Sequence, residues 1–428
     1  MRRALLAATI LAAGALAVWW LIPGGAGPAT PVAEAPVVPA PPPPLPPIGM
    51  VEVGGGAGTV LPVAAPDSRT LSDDGVKAVT AFAESTGTEA LLVWHLGALQ
   101  VEYYGPGTRP FDRLDGQGLG QGLMVLLAGH ALQDGTLTDI ERPLSTWLPE
   151  WAADPRGRIT IRHLLEGTSG LDMPPGPPGS DVAAWTLSAP LAAEPGTRFQ
   201  PSAMETQLLG LALTRAAGKP LARYMADAFW QPLGARAAEI QADAQGVPQL
   251  TCCVRATARD WLRLGLLVLD GGTVDNAALV PTRWLDEMLR PTLFSRNEGW
   301  RMRFAWPFDR NGPVKAKEPF TEGDMAFLAG EGGQRLYVSK GRELVILRLG
   351  APVADWDESR LPNLVAKSLA PPPPAKRALI SRQAGAELPP ITKPPPVPAV
   401  ETVPLAPADE RTGETGIAPA PAPDSGNR

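Results

Sequence analysis

Proline limits this chain more than any other residue. More than half of its 50 prolines fall in two flanks, residues 23–66 and 371–428, in runs such as APPPPLPP and LAPPPPA. Such runs favour extended polyproline conformations, offer few backbone donors and supply too little bulk to build a core. They divide the chain into an N-terminal segment at residues 1–22, a Pro/Ala-rich linker at 23–67, a globular domain at 68–370 and a Pro-rich tail at 371–428 that reads as disordered. The middle part carries nearly all the Phe, Tyr, Trp and His. A chain of about 300 residues buries roughly 75% of its unfolded surface, so a substantial core is expected there.

A formal net charge of −6 and a pI of 5.3, with no block of like charge, give no footprint for nucleic acid. The only cysteines, Cys252 and Cys253, are sequence neighbours. They cannot staple distant parts of a fold, and they read as two small buried thiols. After MRR come 19 uncharged, mostly apolar residues, 4–22, ending in Trp19 and Trp20 ahead of Pro23. About 20 such residues span a bilayer, whereas a cleaved signal peptide has an apolar stretch of about 7–15. The Ala33–Ala35 small-residue pattern is followed by Pro36, which disfavours cleavage. The segment therefore reads as a signal anchor, with a cleaved signal peptide as the alternative. Arg2 and Arg3 place the N-terminus in the cytoplasm and the globular domain outside it. The expected location is the inner membrane, crossed once, with the domain in the periplasm.

Within the domain, residues 89–107 alternate and turn at Leu96-Gly97, the pattern of a two-stranded hairpin. Apolar spacing predicts a helix over 119–133, a short one at IRHLLEGTSGL closing on Gly167 or Gly170, and three more at TQLLGLALTRAAG, PLARYMADAFWQPLG and RATARDWLRLGLLVLDGG. Beyond about residue 300 the pattern returns to strands, with a last helix near 357–369. Strands at both chain ends with helices between them imply an α+β fold: an antiparallel sheet built from both ends, flanked by helices, with a helical insertion.

The stretch DGQGLGQGLMVLLAGHALQDG, Asp115–Gly135, opens a helix with alternating glycines. Neither the dinucleotide pattern G-x-G-x-x-G nor the phosphate loop G-x-x-x-x-G-K-[ST] fits any register of it. No cofactor motif or metal-ligand spacing is present elsewhere, and His95, His130 and His163 are scattered. Five ordered segments do form a pattern: LLAGHALQDGTL, LPEWAADPRGRITIRHLLEGTSGLDM, EPGTRFQPSAMETQLLGLAL, RATARDWLRLGLLVLDGG and AGEGGQRLYVSK. Together they resemble the serine β-lactamase-like hydrolases, in the branch of class C β-lactamases, esterases and aminohexanoate-dimer hydrolases. The resemblance runs from about residue 78 to 369.

That resemblance implies three catalytic clusters: a Ser-x-x-Lys at a helix start, a Tyr-x-Asn-type loop, and a late strand with Lys or His beside glycine. Aligned by LLAGHALQDG, the serine position is Gly118 and the lysine position Gln121; the second cluster is Pro201, Ser202 and Ala203, and the third has Glu331 where His or Lys is usual. The framework stays legible while each reactive side chain is missing. Ser169 reads as a helix-end hydrogen bond, and Ser202 as a serine with no base placed near it. Arg259 and Asp260 read as a helix-packing pair, and Tyr103 and Tyr104 as sheet packing. The expectation is a catalytically degenerate, membrane-tethered domain that binds an envelope ligand, either a peptidoglycan fragment or a protein. Two alternatives stand beside it: an active esterase or amidase using rearranged residues, and a passive spacer presenting the tail. If only side chains were lost, Gly118→Ser, Gln121→Lys and Pro201→Tyr together, with Glu331→His, are expected to restore slow ester hydrolysis.

Overall fold

A computed structural model describes residues 49–369 apart from 177, 180, 331 and 332. The signal-anchor segment, the linker up to residue 48, the tail and Glu331 lie outside the described residues. In chain order the strands are β1 (Gly49–Val53), β2 (Thr88–His95), β3 (Ala98–Tyr104), β4 (Leu114–Asp115), β5 (Ala238–Ala242), β6 (Val254–Ala256), β7 (Thr273–Val274), β8 (Ala277–Ala278), β9 (Arg303–Phe304), β10 (Ala326–Ala329), β11 (Arg335–Ser339) and β12 (Leu344–Gly350). The helices are α1 (Asp73–Ser85), α2 (Leu119–Gln133), α3 (Ile161–Glu166), α4 (Val182–Leu187), α5 (Ala203–Ala217), α6 (Leu221–Met225), α7 (Ala258–Leu269), α8 (Thr282–Met288) and α9 (Arg360–Ser368).

The main sheet has the order β3-β2-β12-β11-β10-β9, antiparallel throughout. The β2–β3 hairpin turns at Leu96-Gly97, as the alternation predicts, and lies against the last strand of the chain. Both faces of this sheet are covered. Successive side chains on a strand point to opposite faces, so Leu91 and Val93 join Leu344 and Ile346 in one apolar cluster with Val79, Phe82, Leu361 and Val365 of α1 and α9. Ala90, Leu92, Val345 and Leu347 face the other way, into a larger cluster that includes α2 and α7. The result is the α+β arrangement read from the sequence.

α2 begins at Leu119 and ends at Gln133, the span that the apolar pattern predicts. It is apolar on nearly every side and correspondingly buried, which makes it the central helix of the domain. α3 starts with a capping box, in which Thr160 Oγ1 accepts from His163 N at 3.2 Å while Thr160 N donates to His163 Nδ1 at 3.2 Å. It closes on Gly167 in the left-handed region at φ 69°.

A second sheet, β1-β5-β6-β4, was not anticipated. Its edge strand β1 falls within residues that composition assigns to the linker; it pairs with β5 from Gly49↔Ala242 to Val53↔Ala238. Val53 and Leu61 are buried. The linker assignment of 49–67 is therefore corrected. Averaged over a window, the glycines and prolines around it hide a five-residue strand, GMVEV, and its buried valine. At its other end the small sheet carries β4, which runs directly into the glycines before α2.

Candidate binding site at the start of the central helix

Gly116 N donates to Val254 O of β6 at 2.9 Å, so the small sheet delivers the chain to the start of α2. Gln117 sits in the left-handed region at φ 46°, its N–H turned onto Asp115 Oδ1 at 2.8 Å. Gly118 caps the helix without any side-chain bond. Gly116 and Gly118 serve close approach here. A Cβ on Gly116 would lie 2.0 Å from the Trp261 ring. A Cβ on Gly118 would lie 2.6 Å from Gly330 Cα and 3.1 Å from Ala329 O, so the backbone after β10 fills the space where a side chain would begin.

A cavity of about 190 Å³ opens beside this turn, lined by Gln117, Gly118, Gln121, Pro201, Ser202, Ala203, Thr251, Glu298, Arg301, Arg303 and Ala329. The structure thus brings together five of the six positions that the resemblance aligns with the family's catalytic clusters; Glu331 is the sixth and lies outside the described residues. Among the described residues, none of the lining side chains is a lysine, histidine, tyrosine or cysteine. Ser202 contributes a hydroxyl, but as the N-cap of α5 its Oγ accepts from Met204 N at 3.1 Å.

Behind the cavity sits a buried ion pair that sequence reasoning missed. Glu205 reaches back to Ser202 N at 3.0 Å, accepts from Ser169 Oγ at 2.7 Å and pairs with Arg301. Arg301, at φ 64°, also donates from Nη2 to Ser202 O at 3.1 Å. A buried charge persists only when paired and hydrogen-bonded, and this one is. Ser169 accordingly has a structural partner, as its sequence context suggests. The spacing Ser202-x-x-Glu205 is a capping-box signature and was the signal available for Glu205. Nothing local marks Glu298, Arg301 or Thr251, which come from distant loops, or Arg303, which opens the two-residue strand β9. Burial pushes the Glu298 carboxyl up from the usual range, and Glu205 adds to this against the pull of Arg303 and Arg301.

The remaining candidates are dispersed. His95 is bonded to Thr70 Oγ1 at 2.7 Å, His130 Nδ1 to Leu279 O at 2.8 Å, and His163 serves the α3 cap. Among the described residues, no group of His, Cys, Asp or Glu is arranged to hold a metal. Asp260 accepts from Thr257 Oγ1 at 2.6 Å and pairs with Arg263, which anchors the start of α7. Arg259 instead forms a two-pronged pair with Glu102 at 2.7 and 2.6 Å, and Glu102 also accepts from Tyr104 OH. Tyr103 packs against the α1/α9 cluster. Cys252 and Cys253 correct the reading of two buried thiols: they are half-buried and joined to each other as a disulfide, next to Thr251 of the cavity wall. A turn with Cys253 in the left-handed region, φ 76°, brings the neighbouring sulfurs together.

A two-sided antiparallel sheet over a buried central helix, with a pocket at that helix's N-terminus, is the architecture of serine-reactive acyl-transfer hydrolases. The profile of the family described as Beta-lactamase matches residues 122–350, and the chain belongs to that family. A 6-aminohexanoate-dimer hydrolase of Paenarthrobacter ureafaciens is 26% identical over 228 residues, 48% of this chain and 58% of that protein. The chain therefore spans well under two thirds of that relative's length. Among solved structures, a Bacillus anthracis protein assigned to the 6-aminohexanoate-dimer hydrolases superposes with a TM-score of 0.61 at 17% identity, covering 75% of this chain and 89% of the other. A class C β-lactamase variant gives 0.55 at 16% identity, covering 69% and 96%. A family VIII carboxylesterase gives 0.54 at 17%, covering 72% and 99%. These likenesses concern the fold.

Proposed function

We propose that this chain is a β-lactamase-family domain that has given up acyl transfer and keeps the family pocket as a binding site, held at the membrane by residues 4–22 with the domain outside the cytoplasm. One observation carries the reading: position 118 has neither a nucleophile nor room for one, because a Cβ there would lie 2.6 Å from Gly330 Cα. The family reaction needs a hydroxyl whose proton passes to a lysine one turn on. Here that second position is Gln121, whose carboxamide does not accept a proton at neutral pH. The match to the family profile also begins at Gly122, just past both positions. Removing a nucleophile alone costs about 10⁶ in turnover.

The open cavity favours a binding module over a passive spacer, and an envelope component, a peptidoglycan fragment or a protein, remains the expected ligand. The membrane segment rests on the length and apolarity of residues 4–22; among the described residues no helix is long and apolar enough to cross a membrane. The test is intact-mass analysis after incubation with a fluorophosphonate and with a β-lactam. The expected spectrum shows unmodified protein. Stoichiometric addition mapped to Ser202, the serine on the cavity wall, would replace this reading with that of a hydrolase using rearranged residues.

A further inference from the structure

A second cavity, of about 510 Å³, shares no lining residue with the pocket at the start of α2. It lies between the second half of α7, Trp94 of β2, the β7–β8 hairpin and the strap that follows β1, at Thr59 and Leu61. Its volume falls within the range of about 300–1,000 Å³ that small-molecule sites occupy. One face of α7 and its cap supplies the chemistry. Arg263, Leu266, Leu267 and Asp270 stand at i, i+3, i+4 and i+7, the spacing of a single helical stripe, and all four line the cavity. The stripe leads from a guanidinium over leucines to a carboxylate, a rise of about 10 Å at 1.5 Å per residue. Leu61, Val274 and the half-buried ring of Trp94 add to its apolar middle.

The two ends of the stripe are open to partners of opposite kind. The Arg263 side chain is 8% exposed; its Nε donates to Asp260 Oδ1 at 3.3 Å and its Nη2 to Thr59 O, and among the described residues Nη1 makes no hydrogen bond. A donor so deeply buried, left over on a cavity wall, calls for an acceptor. At the other end, the carboxylates of Asp270 and Asp275 have neither a hydrogen bond nor a salt bridge among the described residues. Partial burial pushes the Asp270 carboxyl up from the usual range, and Glu343 nearby adds to this. Arg263 is matched by Asp260, Arg259, whose charge reaches Arg263, by Glu102, and Arg342, beside Glu343, by Glu322. That leaves Asp270, Asp275 and Glu343 unmatched among the described residues, so this end of the cavity is anionic.

We infer that this cavity binds a small organic ammonium ion whose apolar body carries a hydrogen-bond acceptor at its far end. Asp270 and Asp275 take the ammonium in charge-assisted hydrogen bonds. Leu61, Leu266, Leu267, Val274 and the Trp94 ring cover the apolar body. Arg263 Nη1 donates to the acceptor, which fixes the direction in which the ligand lies. Carboxylates and phosphates are turned away by the three unmatched carboxylates. The site stands apart from the reading of the α2 pocket, and neither depends on the other.

The experiment is calorimetric titration of the full-length chain with three probes of one shape. Tyramine carries both the ammonium and a phenolic oxygen, tyrosol replaces the ammonium by a neutral hydroxyl, and phenethylamine lacks the phenolic oxygen. Tyramine is expected to bind at millimolar concentration, tyrosol about tenfold more weakly or worse, and phenethylamine about threefold to tenfold more weakly. Asp270→Asn, at an exposed position, should weaken tyramine by about threefold to tenfold and leave tyrosol unchanged. Val274→Trp, which fills the cavity, should abolish tyramine binding. Melting curves confirm that each variant is folded, and the comparison of probes on the parent protein needs no variant. Equal binding of tyramine and tyrosol, phenethylamine binding as well as tyramine, no effect of Asp270→Asn, or no binding of tyramine at millimolar concentration each overturns the proposal.

Discussion

Gly118 decides what this pocket can be turned into. On sequence grounds a serine there would rebuild a nucleophile turn and cap the helix. The geometry argues the reverse, since the first atom of any side chain meets the backbone of Gly330 and not a flexible side-chain end. Gly118→Ser should therefore cost about 1–3 kcal/mol, the usual penalty of overpacking, read as a lower urea midpoint, and it should bring no esterase activity even beside Gln121→Lys and Pro201→Tyr. A variant as stable as the parent would mean that the strand end yields easily. His95 offers a second test at this scale. Burial, with Arg342 nearby, pushes its imidazole down to about 4 from 6.5, so the folded protein keeps it neutral over a range in which the unfolded chain takes up the proton. The sign follows from linkage. The stability contributed by the neutral ring is complete above about pH 6.5 and is lost progressively as pH falls toward about 4. Melting temperatures of the parent and His95→Gln should converge as pH is lowered across that window; parallel curves would rule the ring out. Of these residues the family resemblance marked Gly118 and Gln121 through its first cluster and Ser202 through its second. It could not mark Glu298 and Arg301, because they reach the pocket through a loop whose course, with Arg301 at φ 64°, has no local signature.

At the scale of elements, the long periodic segments were legible and the short ones were not. α2, α5 and α7 are each a dozen or more residues long with a sustained apolar pattern, and α5 and α7 also start on capping side chains, Ser202 and Thr257, so local pattern and tertiary burial agree. β1, β4 and β6 are two to five residues long and are defined by partners far away in sequence, which no local window contains. β1 is the instructive case. Fully burying an aliphatic side chain is worth about 1.5–3 kcal/mol, so Val53 and Leu61 together give the segment a contribution of at least about 3 kcal/mol. A chain shortened to begin after residue 63 should lose about that much in urea unfolding. An unchanged midpoint would show the ladder to β5 to be ornamental.

For the whole molecule, the question is where the domain sits. If residues 4–22 anchor the chain, carbonate washing of membranes leaves the full-length protein in the pellet. Recovery of a soluble form that begins near residue 36 would instead establish cleavage. Anchored or not, the first strand has a mechanical consequence. Tension applied to the backbone ahead of Gly49 does not stop at a slack joint. It enters the domain at β1 and passes through the ladders to β5, β6 and β4. There it arrives at Asp115 and the turn that forms the pocket wall, with Thr251 and the Cys252–Cys253 ring on the loop between β5 and β6. A pull on β1 is therefore felt at the buried Val53 and, through the ladders, at the pocket wall as well.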